Sequence, residues 1–155
     1  MSTQERDPLE YFDLPVHSGD AFCGFEDLKQ SSSHRRQTLI KLKRWGYEEW
    51  ICNGDYCGKK LVVYDGTHTS FHYHKIKDEH FLVLSGHMTI YVGNTEGKVT
   101  SIEQLNSGDT YHVPPGVVHC IAASGGELSF VEFSSHHSDE DSFRVKLCYP
   151  GGING

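Results

Sequence analysis

Residues 66–86 read GTHTSFHYHKIKDEHFLVLSG and bring His72, His74 and Glu79 into one short stretch. Side chains alternate faces along a strand, so His72 and His74 point the same way, about 6.6 Å apart. Two neutral imidazoles in that relation can converge on one cation. Lys75, Ile76, Lys77 and Asp78 read as a turn, and the alternating run from Glu79 to Leu84 as the next strand. This pattern predicts a hairpin in which Glu79 is the cross-strand neighbour of His74, with Cβ atoms about 5 Å apart and the carboxylate beside the two imidazoles. A second stretch, residues 108–119, reads GDTYHVPPGVVH. Its Pro114-Pro115-Gly116 turn, in which proline fixes φ and glycine permits unusual backbone angles, aims His119 as a fourth donor. Three imidazoles and a carboxylate suit one divalent transition metal, whether Fe, Mn, Ni, Zn or Cu. On an ion that prefers six ligands, four protein donors leave two positions for water or substrate oxygens, as catalysis or small-ligand binding requires. His80 is out of phase with Glu79 and faces the other side, while His68, His87 and His112 read as turn, surface or supporting residues.

The spacing is Gly66, five residues, His72-x-His74, four residues, Glu79, six residues and Gly86, then Gly108, five residues, Pro114-x-Gly116, two residues and His119. Together these stretches resemble the two motifs of the cupin superfamily, and the 21 residues between them (His87 to Ser107) fit the family's two-strand connection. Ala123 stands where many cupins carry Asn, a difference that bears on packing rather than on the ligand set. The resemblance implies an all-β fold, a double-sheet antiparallel jelly-roll barrel. Trp45-Gly46-Tyr47 is similar to a segment near the start of type II phosphomannose isomerases and related sugar-handling cupins. That likeness implies an isomerase interconverting an aldose and a ketose, free or phosphorylated. The metal would hold the carbonyl and adjacent hydroxyl and ease enediolate formation while a base moves a proton. Glu132 is the first candidate base and Glu49 the second, with Lys60 or Arg44 meeting a phosphate or hydroxyl. Two other readings stand beside it: a dioxygenase using Fe(II) or Cu(II), and a non-catalytic metal- or carbohydrate-binding module.

Each motif occurs once in 155 residues, so one barrel is expected, with an irregular N-terminal arm over 1–37, the barrel over 38–149 and a tail over 150–155. Strand-like runs fall at 38–43, 46–52, 60–64, 70–74, 79–84, 88–92, 99–105, 109–113, 119–123, 128–133 and 144–147, separated by Gly, Asn and Asp turns. A formal net charge of −7 with no basic stripe argues against nucleic acid as a partner. No apolar leader or membrane-length run is visible, so a cytoplasmic protein is expected, its five scattered cysteines (Cys23, Cys52, Cys57, Cys120 and Cys148) reduced. Phe12, Leu14, Val16, Phe22 and Phe25 give the arm, with its one short helix around 25–30, apolar surface to bury in a homodimer. Trp45 and Trp50 either plug one end of the barrel or belong to a sugar site. The polar run from Glu132 to Arg144 reads either as a solvated acidic loop leaving a strand or as a loop that lines the barrel mouth with Glu132 facing inward. His136 and His137 are adjacent and point apart, which disfavours a second metal cluster with Asp139.

Overall fold

The computed structural model describes residues 36–147. Nearly all of the expected arm, including its helix, and the whole tail lie outside the described residues, as do Cys23 and Cys148. The described chain forms eleven strands: β1 Leu39–Lys43, β2 Gly46–Asn53, β3 Tyr56–Val63, β4 His72–Tyr73, β5 Glu79–Ser85, β6 Met88–Gly93, β7 Val99–Leu105, β8 Thr110–Val113, β9 Val118–Ala123, β10 Leu128–Ser135 and β11 Phe143–Arg144. One sheet has the order β1-β2-β3-β10-β5-β8 and the other β11-β4-β9-β6-β7, with every pairing antiparallel. This is the expected double-sheet jelly roll. Among the described residues no helix is long and apolar enough to cross a membrane.

Period-two alternation explains why the barrel has two different halves. On one side of the interior, Leu61, Val63, Phe81, Val83, Met88, Ile90, Leu128 and Phe130 interlock as the apolar core. Toward the other end the same inward positions carry Lys59, Glu79, Glu132 and His119, all buried. One inner row of the six-stranded sheet runs Trp50, Lys59, Glu132, Phe81, Tyr111 through successive cross-strand pairs. A single sheet thus passes from a fatty floor to a charged chamber within two residues along each strand. Ala123, in place of the family's Asn, is a buried member of the apolar core.

The expected hairpin of residues 72–84 does not form. His72 pairs with His119 of β9, whereas Glu79 begins β5 in the opposite sheet, paired with Ser134 and Val113. The chain between His74 and Glu79 therefore crosses from one sheet to the other. The reason lies in a distant carboxylate: Asp141 accepts hydrogen bonds from the backbone N–H groups of Lys75 (2.9 Å), Ile76 (3.1 Å) and Lys77 (2.9 Å), donors that the sequence pattern had assigned to a hairpin turn. The short helical turn Asp139–Asp141 presents that carboxylate. Residues 136–141 thus form a loop that ties down the crossing chain through Asp141 while Asp139 and Glu140 remain exposed.

Gly46 starts β2 with φ 149°, and a Cβ there would lie 1.8 Å from the Val62 carbonyl oxygen. Gly46→Ala should lower stability by more than about 2 kcal/mol, read as a shift of the urea midpoint, because the clash is with backbone. An unchanged midpoint would contradict this close approach.

Candidate metal centre

Three backbone carbonyls fix the histidines. Nδ1 of His72 lies 2.8 Å from the Ser70 oxygen, Nδ1 of His74 2.7 Å from the Asp141 oxygen, and Nδ1 of His119 3.0 Å from the Val117 oxygen. A carbonyl only accepts, so each Nδ1 carries the proton and each Nε2 presents a lone pair. The rings are gathered, with centroids 5.0 Å apart for His72 and His74 and 4.6 Å for His72 and His119. The proline turn contributes directly, since Gly116 N–H donates to the His74 carbonyl at 2.6 Å and locks the two motifs together.

Glu79 faces two of these lone pairs. Its Oε1 lies 3.6 Å from His74 Nε2 and its Oε2 3.4 Å from His119 Nε2. Oε2 is buried and has no hydrogen-bond donor. Acceptors therefore confront acceptors at buried atoms, an arrangement that is costly unless a proton or a metal cation is shared among them. By donor geometry alone, no three His, Cys, Asp or Glu side chains among the described residues already form a finished metal-holding group. The fit rests on the donor set and the orphaned oxygen, and it names His72, His74, Glu79 and His119 as the residues that could hold a divalent ion.

Lys77 explains part of this geometry. Its ammonium, 2% exposed, donates to Glu79 Oε1 at 2.7 Å and to Glu132 Oε1 in a still closer contact. Lys59, equally buried, lies 3.9 Å from the same Glu132 oxygen and 3.2 Å from His137 Nδ1. Burial favours neutral Glu132, yet Lys77 and Lys59 outweigh it and hold the carboxyl down at about 2. Burial, reinforced by the charge of Glu132, pushes Glu79 up to about 7 against the pull of Lys77. Burial alone would lower Lys77, but its two carboxylates keep it above the usual lysine range.

The centre opens into a cavity of about 1240 Å³. Its walls carry Arg44, Lys41, Lys43, Glu48, Trp50, His137, Asp139 and Arg144 besides the buried charges. Trp50 is held between Lys41 Nζ, 3.8 Å from its ring centroid, and Lys59 Nζ, 3.9 Å away, and donates to Glu48 at 2.8 Å. Both tryptophans line the cavity.

Of the residues singled out from sequence, His72, His74, Glu79, His119 and Glu132 meet in one chamber, and Arg44 lies on its wall. Glu49 and Lys60 do not. They pair with each other across β2 and β3 at positions between the cavity-lining Glu48 and Trp50 and between Lys59 and Leu61, so strand parity turns them outward. Glu49 instead accepts a hydrogen bond from Thr38 at 2.9 Å. His80 does face outward, stacked on His112 at 4.2 Å. Sequence reasoning missed Lys77, Lys59 and Asp141. A lysine two residues before the motif carboxylate and one opposite Glu132 were visible, but only the sheet pairing shows that they meet. His137 also belongs to the cavity, its Nε2 bonded to Asp139 at 3.0 Å, whereas His136 turns away to the Gly54 carbonyl. Cys52, Cys57 and Cys120 are free thiols.

Residues 61–134 match the cupin domain family. Among solved structures, the capsular polysaccharide assembling protein CapF from Staphylococcus aureus aligns with a TM-score of 0.60 at 17% identity over 73% of this chain and 35% of that one. Oxalate decarboxylase from Bacillus subtilis aligns with a TM-score of 0.61 at 19% identity over 70% of this chain and 30% of that one. The chain thus spans about a third of the length of these proteins, and at such identities the likeness is one of fold. No curated protein matches it. Just under half of this chain thus matches a cupin domain, within a double-sheet jelly-roll fold.

Burial pushes His72 down to about 3 and His119 to about 4. Both bind fewer protons folded than unfolded at any pH between those values and about 6.5, so metal-free protein should lose stability as pH falls through that window. Each histidine contributes a loss on the order of 1.4 kcal/mol per pH unit, and Glu79, whose raised pKa acts in the opposite sense between about 7 and 4.5, offsets about one of them. Urea titrations of chelator-treated protein at pH 7, 6 and 5 would show it, and His119→Gln should make the slope shallower. A slope unchanged by that substitution would contradict the buried neutral assignment.

Proposed function

We propose that this cupin domain is a metal-dependent isomerase that interconverts an aldose and a ketose, with a sugar or sugar phosphate as substrate. The observation that carries the reading is the orphaned Glu79 Oε2 facing the lone pair of His119, beside two further histidines whose Nε2 atoms are also free. A divalent ion held by these four side chains would supply Lewis-acid polarisation of a carbonyl and its neighbouring hydroxyl. The chain's own residues do the rest. Trp45 on the cavity wall offers ring surface to a sugar, and Arg44 and Arg144 offer donors to hydroxyl or phosphate oxygens. Glu132, kept ionised by Lys77 and Lys59, is the group that would carry a proton between adjacent carbons. Homodimerisation in a cytoplasmic setting completes the reading, supported by exposed Ile40, Leu42 and Phe133 and by free thiols.

The same ion pairs support a second reading. Two ammonium groups weaken Glu132 as a base, which suits a module that binds metal and sugar without turnover. A screen of aldoses, ketoses and their phosphates with Mn(II), Co(II) or Zn(II), run under air and under nitrogen, separates the possibilities. The isomerase gives oxygen-independent turnover that falls at least about 100-fold in Glu132→Gln with metal content unchanged. Binding without turnover selects the module, and turnover that requires oxygen would replace the isomerase with an oxygenase.

A further inference from the structure

The two oxygens of Glu79 are not equivalent. Oε1 is bound by Lys77 Nζ at 2.7 Å, while Oε2 has no donor. The same ammonium binds Oε1 of Glu132. Lys77, Glu79 and Glu132 are each at most 4% exposed, so water cannot exchange freely for these partners. Without Lys77, Glu79 would lose its donor and Glu132 would keep only the more distant Lys59 at 3.9 Å, so buried carboxylate charge would be left beside three imidazoles, and drawing the freed oxygens onto the cation would neutralise it.

We propose that Lys77 is a positioning residue of the metal centre: it reserves one oxygen of Glu79 for the ion and keeps Glu132 out of the ligand set. This rests on the reading that His72, His74, Glu79 and His119 take a divalent metal. Lys77 thereby limits the protein to four donor atoms, which leaves room for a substrate's oxygens and leaves the Glu132 carboxylate available to the substrate. A lysine is suited to the role because its compact ammonium has three donors, enough to serve both carboxylates, and it competes for oxygen without itself ligating while charged.

The test is water-proton relaxation of Mn(II)-loaded protein, which counts exchangeable water on the ion, together with Mn(II) affinity by chelator competition. In Lys77→Met the freed oxygens should enter the ligand set. The relaxation enhancement should then fall by about a third or more, and Mn(II) should bind about tenfold tighter or better, since a buried positive charge is lost and carboxylate ligation is gained. Unchanged enhancement, or weaker binding with unchanged enhancement, would mean that Lys77 only supports the fold and would overturn the proposal. If Lys77→Met does not fold, the Lys77→Met, Glu132→Gln double variant removes both charges together and still frees Oε1 of Glu79. Its enhancement should be lower than that of the wild type, and equality would overturn the proposal. Wild-type protein that takes up no Mn(II), Co(II) or Zn(II) would overturn the metal reading and this one with it, an outcome distinct from a metal-loaded wild type and an indifferent variant.

Discussion

One carboxylate divided between two kinds of partner organises the site. Glu79 gives one oxygen to a buried ammonium and turns the other toward the His119 lone pair. Neither half is stable alone in a low-dielectric interior. The ammonium without carboxylates would be expelled or neutralised, and facing acceptors without a cation would repel. The surrounding structure can be understood as the means of holding these groups together: three carbonyls orient the imidazoles, Gly116 ties the proline turn to His74, and Asp141 fixes the crossing chain that carries Lys77.

Such a chamber contributes little net stability, because desolvating four charges offsets most of their mutual attraction. Stability comes from the other half of the barrel, where Phe81, Met88, Ile90, Leu128 and Phe130 are almost wholly enclosed. Alternation along the strands lets one sheet serve both purposes. Phe81 belongs to the apolar core and is also the cross-strand partner of Glu132, so it joins the floor of the cavity to its chemistry.

The spacing of the two stretches singled out His72, His74, Glu79 and His119, and the fold brings these four into one chamber, although Glu79 arrives from the opposite sheet rather than across a hairpin. The fold class followed from short alternating runs and turn residues. The partner of His72 was not legible, since a two-residue strand can pair with several others and the choice of His119 over the Glu79 strand depends on Asp141, more than sixty residues downstream. Glu49 and Lys60 illustrate a different limit. Their types suited the chemistry, but one step along a strand exchanges inside for outside, and their neighbours Glu48, Trp50 and Lys59 hold the inner positions. Lys77 lies inside the motif and still escaped notice, because a lysine in a charged turn reads as solvated until its two carboxylates are seen around it.

The most direct measurement of the central claim is elemental analysis of protein purified without an affinity tag, compared with His74→Ala prepared identically. The account predicts close to one transition-metal ion per wild-type chain and little or none in a variant whose strand content, by circular dichroism, is preserved. Wild-type protein that stays metal-free after incubation with Mn(II), Co(II) and Zn(II), or a His74→Ala variant that retains a full equivalent, would contradict it.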